Sequence, residues 1–213
     1  MRETSRYILL GIGSGVLLLG GCADRAEQVS AVSESIDTQT SEVVSQLNTL
    51  IQTETDLQPA FESTLAEDED LSSLSDGSSE VFANIDTRKE TLQTIEEQSD
   101  NLSEHYRALT EEENQELPEA ELNAVVASLE KAAESLQDFT AHYASALENQ
   151  THFFESLAGE DASYETMANG IEAISDEDET SKQQLLNLDE TLSDLQEANT
   201  ALMFTLKEQT NSN

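Results

Sequence analysis

From residue 25 onward, apolar residues recur at helical spacing in four long stretches separated by polar, mostly acidic runs. Val29, Ile36, Val43, Leu50 and Leu57 repeat every seven residues, with Val32, Leu47 and Phe61 on the same face, which predicts a helix over about 25–65. Pro59 falls inside it and should kink or end it, because proline lacks the N–H and crowds the preceding turn. The stretch 67–80 is acidic and Ser-rich and contains Gly77, so it reads as a turn, with Ser78 or Ser79 placed to cap the next helix. A second stripe then steps by four and three through Val81, Ile85, Arg88, Leu92, Ile95, Ser99, Leu102, Tyr106 and Leu109. Two of its members, Arg88 and Ser99, are polar.

Acidic residues after Thr110 break the pattern, and Pro118 suits a first helical position. A third stripe follows through Leu122, Val126, Leu129, Ala133, Leu136, Thr140, Tyr143, Leu147, Gln150, Phe154 and Leu157, and Gly159 is placed to end it. A short segment from Tyr164 to Ile174 comes next. The acidic run 176–179 is expected to interrupt the chain before a last helix on Leu185, Leu188, Leu192, Leu195, Asn199, Leu202 and Leu206. After residue 21 the chain holds only three Gly and two Pro, too few turn residues for a β-rich domain of this size. The expected fold is all-α: an elongated antiparallel helical bundle or coiled coil of about four long helices. It forms one domain over 22–213, with flexible acidic turns near 66–79, 111–117 and 175–180.

The first 22 residues follow a different logic. Arg2 and Arg6 precede an apolar run from Tyr7 to Leu19, shorter than the roughly 20 residues that span a bilayer and suited to a secretory signal. Leu19-Gly20-Gly21-Cys22 follows at once, and it resembles the lipobox of bacterial lipoproteins. That resemblance implies a diacylglyceryl group on the Cys22 thiol and cleavage before it, removing residues 1–21 as a signal peptide. Two acyl chains hold a protein at a membrane far better than one. Cys22 is the single cysteine, so an internal disulfide is excluded.

The remainder of the chain resembles the YkyA-like cell-wall-binding lipoproteins of Gram-positive bacteria. The likeness is carried by Cys22, by Leu57-Gln58-Pro59, and by the run Asp86 to Leu92 (DTRKETL). It continues through Tyr143 to Leu147 (YASAL), Phe153-Phe154, and Glu197-Ala198-Asn199 ahead of Thr205. The chain departs from the family in having fewer Lys and an acidic insert at 176–184. The resemblance implies an extracytoplasmic helical protein, lipid-anchored to the outer face of the cell membrane, with a cell-wall component or an envelope protein as partner.

Charge then narrows the ligands. The chain carries 45 Asp and Glu against 9 Lys and Arg, a formal charge of −36. Loss of residues 1–21 would leave 44 acids, 7 bases and −37. Nucleic acid is excluded as a partner, since a phosphate backbone needs a basic patch. Teichoic-acid phosphate is disfavoured for the same reason.

No enzyme signature, metal site or cofactor motif emerges. His142 and His152 are ten residues apart on one helix rather than three or four, and His105 stands alone. Asp68 and Asp70 match two positions of a calcium loop, but the required Gly is Ser73. Arg88 is expected to pair with an acid on a neighbouring helix, and Asn199 to set register. Phe139, Tyr143, Phe153, Phe154 and Tyr106 are read as core. The expected role is a non-enzymatic envelope interaction or spacer protein, the alternative being an accessory subunit that docks another membrane protein.

The charge also has a stability consequence. Self-repulsion in the folded rod should be relieved by salt, whose Debye length is about 8 Å at 0.15 M. The melting temperature is therefore expected to rise with NaCl when followed by circular dichroism. A melting point unchanged between low and molar salt would contradict this.

Overall fold

The computed structural model describes residues 25–110 and 117–212. Cys22, the signal segment 1–21 and most of the acidic turn at 111–117 therefore lie outside the described residues. Among those described, the chain forms helices and no strand. These are α1 (Arg25–Thr55), α2 (Leu57–Glu67), α3 (Ser72–Asp76), α4 (Glu80–Thr110), α5 (Glu119–Leu157) and α6 (Tyr164–Ser212). The four long ones hold 31, 31, 39 and 49 residues, so α1 is about 45 Å long and α6 about 75 Å.

Pairing is cyclic. α1 packs on α4 and on α6, and α5 packs on α4 and on α6, which closes a four-helix bundle. Cross-helix hydrogen bonds show every neighbouring pair to be antiparallel. Asn84 Nδ2 donates to the Thr53 carbonyl between α4 and α1, and Ser99 to the Ala133 carbonyl between α4 and α5. Asn149 and Asn187 on opposite sides of the α5–α6 seam donate to Glu177 and Ser135, and Asn199 on α6 reaches the Ser33 carbonyl on α1. The core is a single line of buried side chains running from Val29 and Leu206 at one end to Leu74 and Phe154 at the other.

The elements begin and end for local reasons. The first predicted helix is interrupted at Asp56, three residues ahead of Pro59. A continuous helix would set the proline ring against the Thr55 carbonyl, so the chain turns and restarts. α4 begins as expected: Ser79 is its cap, its hydroxyl accepting from the Val81 N–H at 3.3 Å and bonding Thr64 on α2 at 2.7 Å. The acidic connection 66–79 is ordered by its own carboxylates. Asp68 accepts from the Ser73 N–H at 2.7 Å, and Asp76 from the Ser78 N–H at 3.0 Å. Gly77, at φ 78°, supplies the left-handed residue that ends α3.

Three expectations need correction. Pro118 is the cap of α5 rather than its first residue, since its carbonyl accepts the first helical bond, from Leu122 at 2.9 Å. The buried face of α5 includes Val125 and Ala132, with Val126 and Ala133 only half-buried. α5 touches both α4 and α6, so its buried arc is wider than a two-helix seam. The acidic run 176–179 makes no turn at 175–180, because α6 passes straight through it. That run contains neither Gly nor Pro, Glu177 accepts a hydrogen bond from Asn149 on α5, and Lys182 hydrogen-bonds Asp178 one turn back. Charge alone does not end a helix.

Asn199 makes the interhelical contact expected of it, donating to the Ser33 carbonyl at 2.8 Å while 2% exposed. Its Oδ1 is buried and finds no partner among the described residues. Such an orphan acceptor costs about 1–3 kcal/mol. Asn199→Leu, which keeps the branched shape and removes the orphan, should raise the urea midpoint. A lowered midpoint would mean that the single hydrogen bond outweighs the orphan.

Candidate functional site

Arg88 organises the end of the bundle where α1 stops and α4 starts. Its side chain is fully buried, and each arm of the guanidinium has a partner. Nε donates to Asn84 at 2.9 Å, Nη1 to Glu54 at 3.2 Å and to the Tyr143 hydroxyl at 3.1 Å, and Nη2 to Gln150 at 2.6 Å. The same guanidinium lies 6.0 Å from the Tyr143 ring centre. The expected ion pair with a neighbouring helix is therefore present, and its acid is Glu54.

Burial pushes the Glu54 carboxyl above its usual range, with Arg88 pulling the other way. Burial likewise raises the Tyr143 phenol, again opposed by Arg88. Desolvation prevails over the ion pair in Glu54, so the pair locks the geometry more than it adds stability. Glu54 and Gln150 were legible in principle: Glu54 lies four residues past Leu50 and three before Leu57, in step with the apolar stripe of α1. Asn84 carries no such mark.

Above this polar layer lies a groove of about 700 Å³ between α2, the end of α5 and the start of α6. Ile51, Phe61 and Leu65 form one wall, and Phe153, Ile171 and Ile174 the other. Glu54 and Gln150 form its floor, and Glu62, Asp178 and Lys182 stand at its rim. The walls are partly bare, with Ile51 40%, Leu65 44% and Ile171 48% exposed. The reason is that α6 contributes no fully buried residue before Ser181, so its first turns stand beside the bundle rather than in it. Gly170 seats these turns. Its missing Cβ leaves the space occupied by the Phe153 ring, which a methyl group would overlap. Phe153 in turn stacks at 5.1 Å on Phe154, and Phe154 at 5.2 Å on Phe61.

The other sequence candidates are scattered. Phe139, Tyr143 and Phe154 are core, as expected, whereas Phe153 is half-buried in the groove wall. Tyr106 is also half-buried, beside a polar furrow between α4 and α5 lined by Ser99, Ser103, Glu130 and Gln137. His105 and His142 are half-buried and His152 is exposed, and burial lowers the His105 imidazole below its usual range. Hydrogen bonds from Ser73, side chain and N–H, hold the Asp68 carboxyl down at about 2. That carboxylate is occupied in ordering its own loop. No group of three His, Cys, Asp or Glu able to hold a metal ion occurs among the described residues, and none of their helices is long and apolar enough to cross a membrane.

A closed bundle with a buried arginine layer and an open groove at one end does not by itself name a protein. Residues 24–203 match the family YkyA, described as putative cell-wall binding lipoprotein. The chain belongs to this family. The match covers α1 through most of α6, including the whole arginine layer and every wall of the groove. No curated protein and no solved structure matches the chain. As a YkyA family member it is grouped with lipoproteins, and Cys22 lies just ahead of the matched span.

Proposed function

We propose that this YkyA family protein is a non-enzymatic, lipid-anchored rod that holds a binding groove away from the outer face of the cell membrane. One observation carries the reading: the groove sits at the end of the bundle opposite the N-terminus of α1. α1 begins three residues after Cys22, and Ile51 lies about 40 Å along it. An acyl-anchored Cys22 would fix one end to lipid, and the acidic surface would be repelled by anionic headgroups, keeping the rod upright. Tethering then raises the effective concentration of the far end near wall and envelope partners. The family description favours the wall as that partner.

Retention of the full chain on purified peptidoglycan, with and without teichoic acid, tests this. Retention on peptidoglycan lacking teichoic acid is the expected result. Absence from both pellets would overturn wall binding.

A further inference from the structure

We infer that the groove between α2, α5 and α6 takes a peptide segment in which a lysine or arginine is flanked by apolar side chains. The inference rests on the reading of this end as the binding end and names the chemistry of what binds. The apolar walls set the first requirement. Ile51, Leu65 and Ile171 are each at least 40% exposed, and covering them is favourable in proportion to the apolar area removed from water.

The rim sets the second. Glu62 and Asp178 stand at the rim and Glu54 on the floor; Arg88 pairs with Glu54 from beneath and Lys182 with Asp178, so Glu62 is the carboxylate of the groove with no ion pair among the described residues. Anything that covers the walls also strips water from these carboxylates, a penalty that an apolar ligand leaves unmet and an acidic one increases. A cationic side chain meets it. Each carboxylate retains acceptor sites beyond its present bond, from Gln58 to Glu62 at 2.7 Å and from Arg88 to Glu54 at 3.2 Å. The long-range field acts in the same direction, with 45 acidic against 9 basic residues in the chain. A volume of about 700 Å³ lies within the usual range for a site that engulfs a few side chains.

The test uses the full chain in zwitterionic lipid nanodiscs and three labelled peptides of equal length. One alternates Leu with Lys in an amphipathic pattern, one replaces Lys by Glu, and one replaces Leu by Ser. Fluorescence anisotropy should show the Leu/Lys peptide binding at least tenfold more tightly than either of the others, and not to empty nanodiscs. Leu65→Asn and Ile171→Asn should each weaken it at least tenfold, while Leu186→Asn, at a position 65% exposed elsewhere on α6, leaves it unchanged. Circular dichroism confirms that each variant is folded. Equal affinity for the three peptides, equal binding to empty nanodiscs, or binding indifferent to the groove substitutions would overturn the proposal. Peptidoglycan retention is measured on the same preparation. Retention without peptide preference overturns the groove assignment alone, and peptide binding without retention overturns the wall reading alone.

Discussion

Arg88→Ala is expected to destabilise the bundle by about 3–5 kcal/mol, the usual cost of removing one partner of a buried charge pair. The guanidinium is the shared donor for Glu54, Asn84, Tyr143 and Gln150, and its loss leaves four acceptors short of a proton in a layer it fills completely. Arg88→Lys should recover little, because one ammonium cannot reproduce the fork that reaches three helices. Urea unfolding of the wild type and both variants measures this directly.

The loss should also depend on pH in a defined sense. The Glu54 carboxyl is raised by burial above its usual 4.5, and Arg88 is the main opposing influence. A carboxyl raised in the folded state contributes stability when protonated, and that contribution is lost as pH rises through its folded range. Removing Arg88 raises it further. The deficit of Arg88→Ala relative to wild type should therefore be smaller near pH 4.5 than at pH 8. A deficit independent of pH would show that Glu54 is not the group left unpaired.

The second large effect is expected at Phe154. Its ring is 3% exposed and lies between Phe61 of α2 and Phe153 of α5. Truncation to Ala should cost about 3–5 kcal/mol, the transfer of the ring plus the cavity left behind. The damage should be uneven. α2 buries only Thr64 fully, so the Phe61–Phe154 contact and the Thr64–Ser79 bond are its chief anchors. Hydrogen exchange in Phe154→Ala should accelerate first over 57–67, ahead of α4 and α5. Uniform acceleration across all helices would mean that α2 is held by the bundle as a whole.

Much of this architecture was legible because helix formation leaves a period in the sequence. The stripes of α1, α4 and the second half of α6 coincide with buried faces at Ile36, Val43, Ile85, Ile95, Leu195 and Leu202. The break near Pro59 and the cap at Ser79 could be read because each rests on one residue's local chemistry. The misreading at 176–179 came from treating charge as a breaker, when a helix free of Gly and Pro tolerates a run of carboxylates.

The groove was not legible for a different reason. It depends on three helix ends meeting, on Gly170 admitting the Phe153 ring, and on α6 standing beside the bundle for its first turns. None of those is a property of one stripe. Arg88 stood out in the sequence as a cation on an apolar face, but its four partners on α1, α4 and α5 are assembled only by the fold.

The central claim is that one end of the rod is tethered and the other end displays the groove. The most direct test is the depth of each end relative to lipid. Spin labels placed by Leu65→Cys at the groove and Thr200→Cys near the opposite end, with the Cys22 thiol acylated, can be relaxed by paramagnetic headgroups in nanodiscs carrying the full chain. The account requires strong relaxation near residue 200 and little at residue 65, whose groove neighbour Ile51 lies about 40 Å along α1 from Arg25. Equal relaxation at both positions would mean that the rod lies flat on the membrane, and it would contradict the account.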